Sequence, residues 1–450
     1  MELPTEFVRR MQAQLGPGYA AFAEALAAPP PTSLRLHPAK PTELAFELGA
    51  PIPWAPGGYY LGTRPTFGHD PAWHAGAYYV QEASSMCIGL ALLQTQRPLR
   101  ALDLAAAPGG KTTLLASALP AGSLLVANEP IASRNAILRE NVARWGAPGV
   151  VVSQNDPAEF APLAGFFDLV LLDAPCTGEG LWRKQPEAIG QWSEAALAHC
   201  AARQHRLLPE AARLVASGGR LVYSTCSYAP SENAGPIEAL LRAQPGQWAP
   251  VPLPAAQTYG LVPDAVGGYQ AYPHRVRGEG FYLCVLERKE GPTSAGEPPP
   301  RWDHRPAPPA WAPWLTDASA YRTFFTPLGS WVFPAAHADP LARLQAVLRL
   351  KTYGTSLTET QGKTEKPAHG LALSTVVSSA VPTLPLDDPA AARRFLAGEA
   401  LALTDGGVSG WVRVTYRGLG LGWGKGAAGR LNNHVPPGYR LRGVANVAEV

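Results

Sequence analysis

The chain has 450 residues, of which 46% are hydrophobic and 16% are charged. This length predicts about two or three domains, and the composition is that of a globular protein and excludes a disordered or fibrous one. The net charge of +3 is too small to indicate a polyanionic partner by itself. The sequence has no apolar run of about 18 residues, and its five cysteines match neither a zinc site nor a disulfide framework. We therefore expect a cytoplasmic protein with no membrane span and no bound metal.

Residues 1–75 are expected to form an N-terminal subdomain that binds RNA or substrate, with one helix over residues 6–15 among turns rich in proline and glycine. From residue 76 to residue 290, short apolar runs alternate with helical periodicity, which predicts parallel βαβ units and a doubly wound α/β sheet. The predicted strands are 101–104, 124–127, 150–152, 169–172, 220–224 and 281–286.

Two helices are predicted between these strands. The first covers residues 131–145, with Gly146 as its C-terminal stop. The second begins after Ser193, can kink at Pro209 and ends at Gly218-Gly219. Its inward-facing residues are predicted to be Leu197, Ala201, Leu208, Ala211 and Val215.

The C-terminal third has a different pattern. Residues 291–310 have the proline-rich composition of a linker, and residues 311–450 show no βαβ alternation. Strands are predicted at 410–416 and 418–425, which suggests a small β-barrel carrying arginines and aromatic residues. Residues 401–450 contain six lysines and arginines against two acids, so this end of the chain is basic.

The turn after the first predicted strand, residues 103–113, is rich in small residues. Such residues allow a ligand to approach the backbone closely, and the helix that begins behind Gly110 offers N–H groups to a negative group. The motif Gly110-Lys111-Thr112 also resembles the end of a phosphate loop, so a nucleoside triphosphatase is an alternative. However, Ala105 stands where that loop needs glycine, and Pro108 lacks an N–H.

Two acids follow the next two strands. Glu129 lies about twenty residues after the glycines, the position at which nucleoside-binding sheets hold ribose hydroxyls. Asp156 is similarly placed for an adenine amine, although either acid alone would more often be a helix cap. Together with the turn they predict a nucleoside site, and the absence of a phosphate loop favours S-adenosylmethionine as the cofactor.

Polar residues with two thiols follow the fourth and fifth strands. A thiolate that adds to carbon 6 of a pyrimidine makes carbon 5 nucleophilic enough to accept a methyl group, and an acid at the nitrogen edge of the ring stabilises the developing charge. Asp173, Cys176 and Cys226 provide such a set. The other three cysteines are predicted to be core residues: Cys87, Cys200 and Cys284.

Residues 105–112, 173–178 and 224–227, with Glu232-Asn233, closely resemble the motifs of the Sun-type RNA 5-methylcytosine methyltransferases. The resemblance covers roughly residues 75–290 and implies a class I methyltransferase with a Rossmann-like sheet. It implies that Cys226 is the nucleophile and that Cys176 assists proton removal or release. DNA cytosine methyltransferases use the Pro-Cys thiol as nucleophile and lack the Thr-Cys motif, so Cys226 favours RNA as the substrate.

The resemblance also implies which residues contact the cofactor and the base. Lys111 and Asp173 would also approach the target base, and residues 81–85 resemble the family's segment beside the cofactor. The implied cofactor contacts are Ala105, Ala106, Ala107, Pro108, Gly109, Gly110, Lys111, Glu129, Asp156 and Asp173.

Residues 420–425 and 431–436 resemble the PUA-like RNA-binding domain of the bacterial RsmF-like branch, which methylates small-subunit rRNA near the decoding region. Asn432 and Val435 depart from that pattern, which has a lysine and an aromatic residue there. The implied partner is 16S rRNA, free or within the small subunit, and we expect a monomer that binds neither DNA nor a membrane. The alternatives are an inactive RNA-binding assembly factor and, for the tail, a capping domain with a solvated basic face.

Overall fold

The computed structural model describes residues 2–92, 96–291, 303–361, 364–403, 408–427 and 429–441. Most of the predicted linker, residues 292–302, lies outside the described residues, as do residues 442–450 of the tail. Within the described ranges, no helix has both the length and the apolar character that a bilayer crossing requires.

The N-terminal part combines helices with a small antiparallel sheet of order β2-β1-β3. The helix predicted over residues 6–15 is confirmed as α1, whose buried Phe7 and Met11 lie four residues apart on one face. These two side chains pack against Trp182 and Tyr228 of the central region. The elements are α1 (Thr5–Leu15), α2 (Tyr19–Ala27), β1 (Thr32–Leu36), β2 (Gly58–Leu61), α3 (Pro71–His74) and β3 (Tyr78–Val80).

The central region is one nine-stranded sheet with helices on both faces. All six predicted strands are present, as are both predicted helices. The elements are β4 (Arg100–Asp103), α4 (Gly110–Ala118), β5 (Leu124–Asn128), α5 (Ala132–Trp145), β6 (Val150–Ser153), β7 (Phe167–Asp173), α6 (Glu194–Leu214), β8 (Val215–Thr225), α7 (Ala234–Ala243), β9 (Trp248–Pro250), α8 (Pro254–Thr258), β10 (Val262–Pro263), β11 (Gly268–Ala271) and β12 (Phe281–Arg288).

The strand order is β10-β11-β12-β8-β7-β4-β5-β6, with β9 paired to β12. Strands β4 to β8 are mutually parallel, and β12 is antiparallel to β8. The order reverses at β4, which lies between β7 and β5. A crevice forms at such a reversal beyond the carboxyl ends of the strands, and this is where open α/β sheets bind ligands.

The predicted end of the second helix is wrong. Helix α6 stops at Leu214, and β8 begins at Val215 and contains Gly218-Gly219. The pairing of β8 with β7 shifts register between Val215 and Arg220, and Gly218 has a φ of 71°, which glycine adopts without strain. The two glycines therefore accommodate an irregularity inside a strand, and α6 continues through Pro209 as one element.

The burial predicted for the first half of α6 is also wrong. Leu197, Ala201 and Cys200 are only partly buried, and the fully buried residues of this helix begin at Gln204. A helix of 21 residues is about 31 Å long, whereas the seven-residue strand β7 spans roughly 23 Å. The helix therefore extends past the surface that the sheet offers for packing.

The C-terminal part contains two further five-stranded sheets, β13-β14-β15-β16-β17 and β18-β20-β21-β22-β19. The strands predicted at 410–416 and 418–425 are confirmed as β20 and β21. The elements are β13 (His304–Arg305), β14 (Tyr321–Thr326), β15 (Gly329–Pro334), α9 (Ala338–Val347), β16 (Thr355–Gln361), β17 (Thr364–Pro367), α10 (His369–Leu373), β18 (Thr383–Pro385), α11 (Pro389–Leu396), β19 (Leu401–Ala402), β20 (Gly410–Tyr416), β21 (Leu419–Ala427) and β22 (Arg430–Asn433).

Candidate active site

A tight turn joins β4 to α4 at the crevice. Gly109 has a φ of 113°, a left-handed conformation that side chains other than glycine rarely adopt. The N–H of Ala106 donates to the carbonyl of Asn128 at 2.8 Å, and the amide of Asn141 donates to the carbonyl of Pro108 at 2.7 Å. The turn that the sequence selected for cofactor binding is thus fixed between the end of β5 and α5.

Asp103 is the last residue of β4 and is completely buried beneath this turn. Its Oδ2 accepts a hydrogen bond from the Thr112 hydroxyl at 2.7 Å, whereas its Oδ1 is buried without a hydrogen-bond partner. Burial raises the pKa of Asp103 to about 7. Sequence reasoning did not select Asp103, although its position at a strand end is the same signal that selected Asp173.

Lys111 and Asp173 form an ion pair in the crevice, with Nζ 2.8 Å from Oδ2. The other carboxylate oxygen of Asp173 accepts a hydrogen bond from the Ser224 hydroxyl at 2.7 Å. Burial lowers the pKa of Lys111, but the neighbouring Asp173 carboxylate outweighs burial and raises this pKa above its usual value. The lysine is therefore a fixed positive charge beside the acid.

The two thiols predicted to act together do lie together, with Cys176 Sγ 3.3 Å from Cys226 Sγ. Strands β7 and β8 are parallel neighbours in which Asp173 is paired with Ser224, so the residues that follow each strand emerge side by side. The hydrogen bond to Cys226, together with burial, raises the pKa of Cys176 well above its usual value. Cys176 therefore keeps its proton, which it can share with the Cys226 sulfur.

Two acids that the site analysis did not select hold the loops that carry the thiols. Both oxygens of the buried Glu232 accept hydrogen bonds from Thr177, from its N–H at 2.8 Å and its hydroxyl at 2.6 Å. The buried Glu179 accepts from the N–H of Tyr228 at 3.1 Å. Glu232 thus fixes the loop after Cys176, and Glu179 links the loops that follow the two cysteines.

Glu179 is in turn held by the N-terminal helix. Arg10 of α1 reaches both carboxylate oxygens of Glu179 at 2.7 Å, and the indole N–H of Trp192 donates to one of them at 2.8 Å. Arg10 and Glu179 are 169 positions apart in sequence, so no local pattern could have revealed this pair.

The two remaining predicted cofactor acids have different surroundings. Glu129 is buried just beyond β5, where its Oε1 accepts from the N–H of Ile131 at 3.0 Å and its Oε2 lies 3.4 Å from Arg134. Asp156 is exposed and caps the following turn, accepting a hydrogen bond from the N–H of Ala158 at 3.0 Å. This is the capping role that the sequence gave as the alternative for a lone acid.

Three family models match this chain. The model for the 16S rRNA methyltransferase RsmB/F matches residues 90–287, the N-terminal domain of RsmF matches residues 3–83, and the RsmF PUA domain matches residues 381–441. The ribosomal RNA small subunit methyltransferase F of Aeromonas hydrophila is 32% identical over 96% of this chain and 96% of its own length. The chain belongs to the RsmF family of 16S rRNA methyltransferases.

Other similar proteins agree with this assignment. The small subunit methyltransferase F of Shewanella sediminis is 32% identical over 86% of this chain and 84% of its own. The crystal structure of a methyltransferase homolog protein from Pyrococcus horikoshii is 27% identical, with a TM-score of 0.52 over 63% of this chain and all of its own. The family resemblance seen in the motifs, the class I methyltransferase sheet and the C-terminal PUA domain are confirmed.

Proposed function

We propose that this RsmF family member transfers a methyl group from S-adenosylmethionine to carbon 5 of cytosine in 16S rRNA near the decoding region. The reaction would proceed through a covalent bond between the Cys226 sulfur and carbon 6 of the base. The observation that carries the proposal is the distance of 3.3 Å between the sulfurs of Cys176 and Cys226. The Lys111–Asp173 ion pair lies at the same end of the sheet.

The residues around the turn fit the proposed cofactor. S-adenosylmethionine carries an ammonium, a sulfonium and ribose hydroxyls, all of which favour carboxylate partners. Asp103 has a buried Oδ1 that lacks a hydrogen-bond partner, and Glu129 lies buried beyond β5. We assign the cofactor to the turn Ala105 to Lys111 and to Glu129, Asp156 and Asp173. When bound, it supplies the methyl group as an electrophile.

In the proposed reaction, Cys226 attacks carbon 6 of a cytosine that has been flipped out of the RNA. Cys176 keeps its proton, because the contact with Cys226 and burial raise its pKa, and its sulfur lies 3.3 Å from the attacking sulfur. The addition moves electrons to carbon 5, which then forms the new bond to the methyl group while the bond between the methyl group and the sulfonium breaks and its electron pair stays on sulfur as a neutral thioether. We assign Asp173 to the nitrogen edge of the ring, with Lys111 beside it, where they stabilise the charge that develops.

Product release completes the proposed cycle. A base removes the proton from carbon 5, the ring double bond re-forms, and the electron pair of the bond between sulfur and carbon 6 returns to Cys226. We assign Cys176 to assist this step, because its sulfur is in contact with the leaving thiolate. Without this assistance the covalent protein–RNA species would accumulate.

The nucleoside triphosphatase alternative finds no support in the surroundings of Lys111 and Thr112. A phosphate loop uses its threonine hydroxyl to bind Mg²⁺ and its lysine to bind phosphate. Here the Thr112 hydroxyl is fully buried and bonded to Asp103, and Lys111 is paired with Asp173.

Three further points remain predictions: the domain division at residues 75, 290 and 310, a monomeric state, and a substrate that is 16S rRNA, either free or in the assembled subunit.

Methyl transfer tests the proposal directly. The purified protein should transfer a tritiated methyl group from S-adenosylmethionine to 16S rRNA, and bisulfite mapping should place it on cytosine. Cys226→Ser should abolish the transfer, whereas Cys200→Ser, which changes a partly exposed thiol on α6, should leave it unchanged. RNA binding without any methyl transfer by the wild-type protein would instead support the assembly-factor alternative.

A further inference from the structure

A pocket of about 270 Å³ lies between the N-terminal sheet and α5. Trp73 and Tyr79, both half-buried, line it from the N-terminal side, and Asn141 and Arg144 line it from α5. Arg64 also lines the pocket and is exposed to solvent. We call this site the aromatic pocket.

The aromatic pocket shares a wall with the methyl-transfer site. The Tyr79 ring lies against Gly110, where an added Cβ would be 3.3 Å from a ring carbon. The next residue, Lys111, forms the ion pair with Asp173. On the opposite wall, Asn141 lines the pocket and donates a hydrogen bond to Pro108 in the cofactor turn.

The pocket combines aromatic rings with positive charge. The guanidinium carbon of Arg144 lies 4.1 Å from the centroid of the Trp73 ring, and that of Arg64 lies 5.4 Å from the Phe67 ring. Arg144 donates to the Asn141 side chain at 2.7 Å, but its Nε is buried without a hydrogen-bond partner. In the described part of the chain, neither arginine makes an ion pair with a carboxylate. A simple packing gap would be lined by apolar side chains and would not need two such cations.

We propose that the aromatic pocket binds a base of the RNA substrate other than the target cytosine. Aromatic rings and guanidinium planes are the surfaces on which proteins stack unpaired RNA bases, and arginines attract the adjoining phosphates. The volume lies just below the range of drug-sized ligand pockets, which suits a single base. An enzyme that flips one base out of a strand disturbs its neighbours, and the aromatic pocket adjoins the turn beside the methyl-transfer site through Tyr79 and Asn141.

This inference rests on the proposed function, so its test measures RNA binding separately from methyl transfer. Trp73→Ala should raise the Kd for a 16S rRNA transcript, and the KM for that transcript, by about tenfold or more, because stacking on one ring is lost. The kcat should change little. Arg64→Glu, at an exposed position, should also weaken binding and should reduce its salt dependence.

The control variant is Arg206→Glu, which reverses the charge of an exposed arginine on α6, the helix packed against the other face of the sheet. It should bind RNA within about twofold of the wild type. The effect of a surface charge on RNA binding is local, and Arg206 lies on the other side of the sheet from the aromatic pocket. Thermal melting of each variant separates loss of contact from loss of fold. If Trp73→Ala is unstable, Arg64→Glu and the following crosslinking experiment still decide the question.

Crosslinking locates the base itself. The transcript carries 4-thiouridine at positions near the target, and mass spectrometry maps the photoproducts on the wild-type protein. A crosslink to Trp73, Tyr79 or Arg144 supports the inference even if the wild type transfers no methyl group, which would refute only the proposed function. The inference alone would be overturned by the following result. The wild type methylates the transcript, its crosslinks lie elsewhere, and the Kd values of Trp73→Ala and Arg64→Glu equal that of Arg206→Glu.

Discussion

The contact between Arg10 and Glu179 predicts that the N-terminal helix stabilises the loops that follow Cys176 and Cys226. Glu179 has no exposed side-chain surface, and the Arg10 side chain is 22% exposed. Arg10→Met would keep a long side chain but leave the Glu179 carboxylate buried without its counter-charge. The carboxylate would then retain only its hydrogen bonds to Trp192, Tyr228 and Ser227.

The expected cost follows from the burial of the acid. Removing one partner of a buried ion pair lowers the free energy of unfolding by about 3–5 kcal/mol, and the remaining hydrogen bonds to Glu179 place this case near about 3 kcal/mol. The double variant Arg10→Met/Glu179→Gln removes both charges and should be less destabilised than the sum of the single variants. Urea denaturation followed by tryptophan fluorescence measures the four free energies of this cycle.

A matched control uses an exposed arginine. Arg97 pairs with Asp168 at 3.0 Å, but its side chain is 67% exposed, so Arg97→Met should cost less than about 1 kcal/mol. The single-turnover rate should fall in Arg10→Met and stay unchanged in Arg97→Met, because Glu179 is bonded to the loop after Cys226, whereas Asp168, the partner of Arg97, is bonded to Arg97 and Arg100. Equal costs for the two arginine variants, or strict additivity in the cycle, would refute this reasoning.

Three further predictions concern the residues beneath the crevice. Lys111→Met should lower kcat/KM more than about a hundredfold while costing at most about 1 kcal/mol of stability, because its ion pair is partly solvated; unchanged kinetics would contradict its role. The pKa of Asp103 is about 7 in the folded protein and about 4 in the unfolded chain. The contribution of protonated Asp103 to the free energy of unfolding is therefore fully present below about pH 4. That stability should be lost between about pH 4 and 7, at up to roughly 1.4 kcal/mol per pH unit, and urea titrations of Asp103→Asn should not show this loss. Glu232→Ala should cost about 1–3 kcal/mol, because both hydrogen bonds to Thr177 are lost and its N–H is left without this acceptor, and should slow single turnover; a variant that melts and reacts like the wild type would show that Glu232 does not hold the loop.

Six of the nine strands of the central sheet were predicted, because each of the six contains a short apolar run that is buried in the sheet; the short strands β9, β10 and β11 were not predicted. Residues 169–172 show this most clearly, and the polar residues after them lie at the carboxyl edge of the sheet, as the sequence predicted. The Gly218-Gly219 pair misled because two glycines usually end a helix, whereas here they serve an irregularity in β8. Local sequence does not distinguish these two uses of glycine.

The contact between the two thiols could be predicted, but the residues that hold their loops could not. Cys176 and Cys226 each follow a strand, and parallel pairing brings strand ends together, so their contact follows from the fold. The pair of Arg10 and Glu179 depends on how α1 docks, which no local pattern encodes. Asp156 caps the turn that follows β6, and its contact with the cofactor stays a prediction.

The most direct test of the central claim is the identity of the thiol that bonds to the RNA. Wild-type protein, Cys176→Ser and Cys226→Ser are each incubated with S-adenosylmethionine and 16S rRNA, and covalent complexes are resolved on a denaturing gel and mapped by mass spectrometry. We expect Cys176→Ser to accumulate an adduct through Cys226, and we expect Cys226→Ser neither to form an adduct nor to turn over. An adduct mapped to Cys176, or turnover by Cys226→Ser, would contradict it.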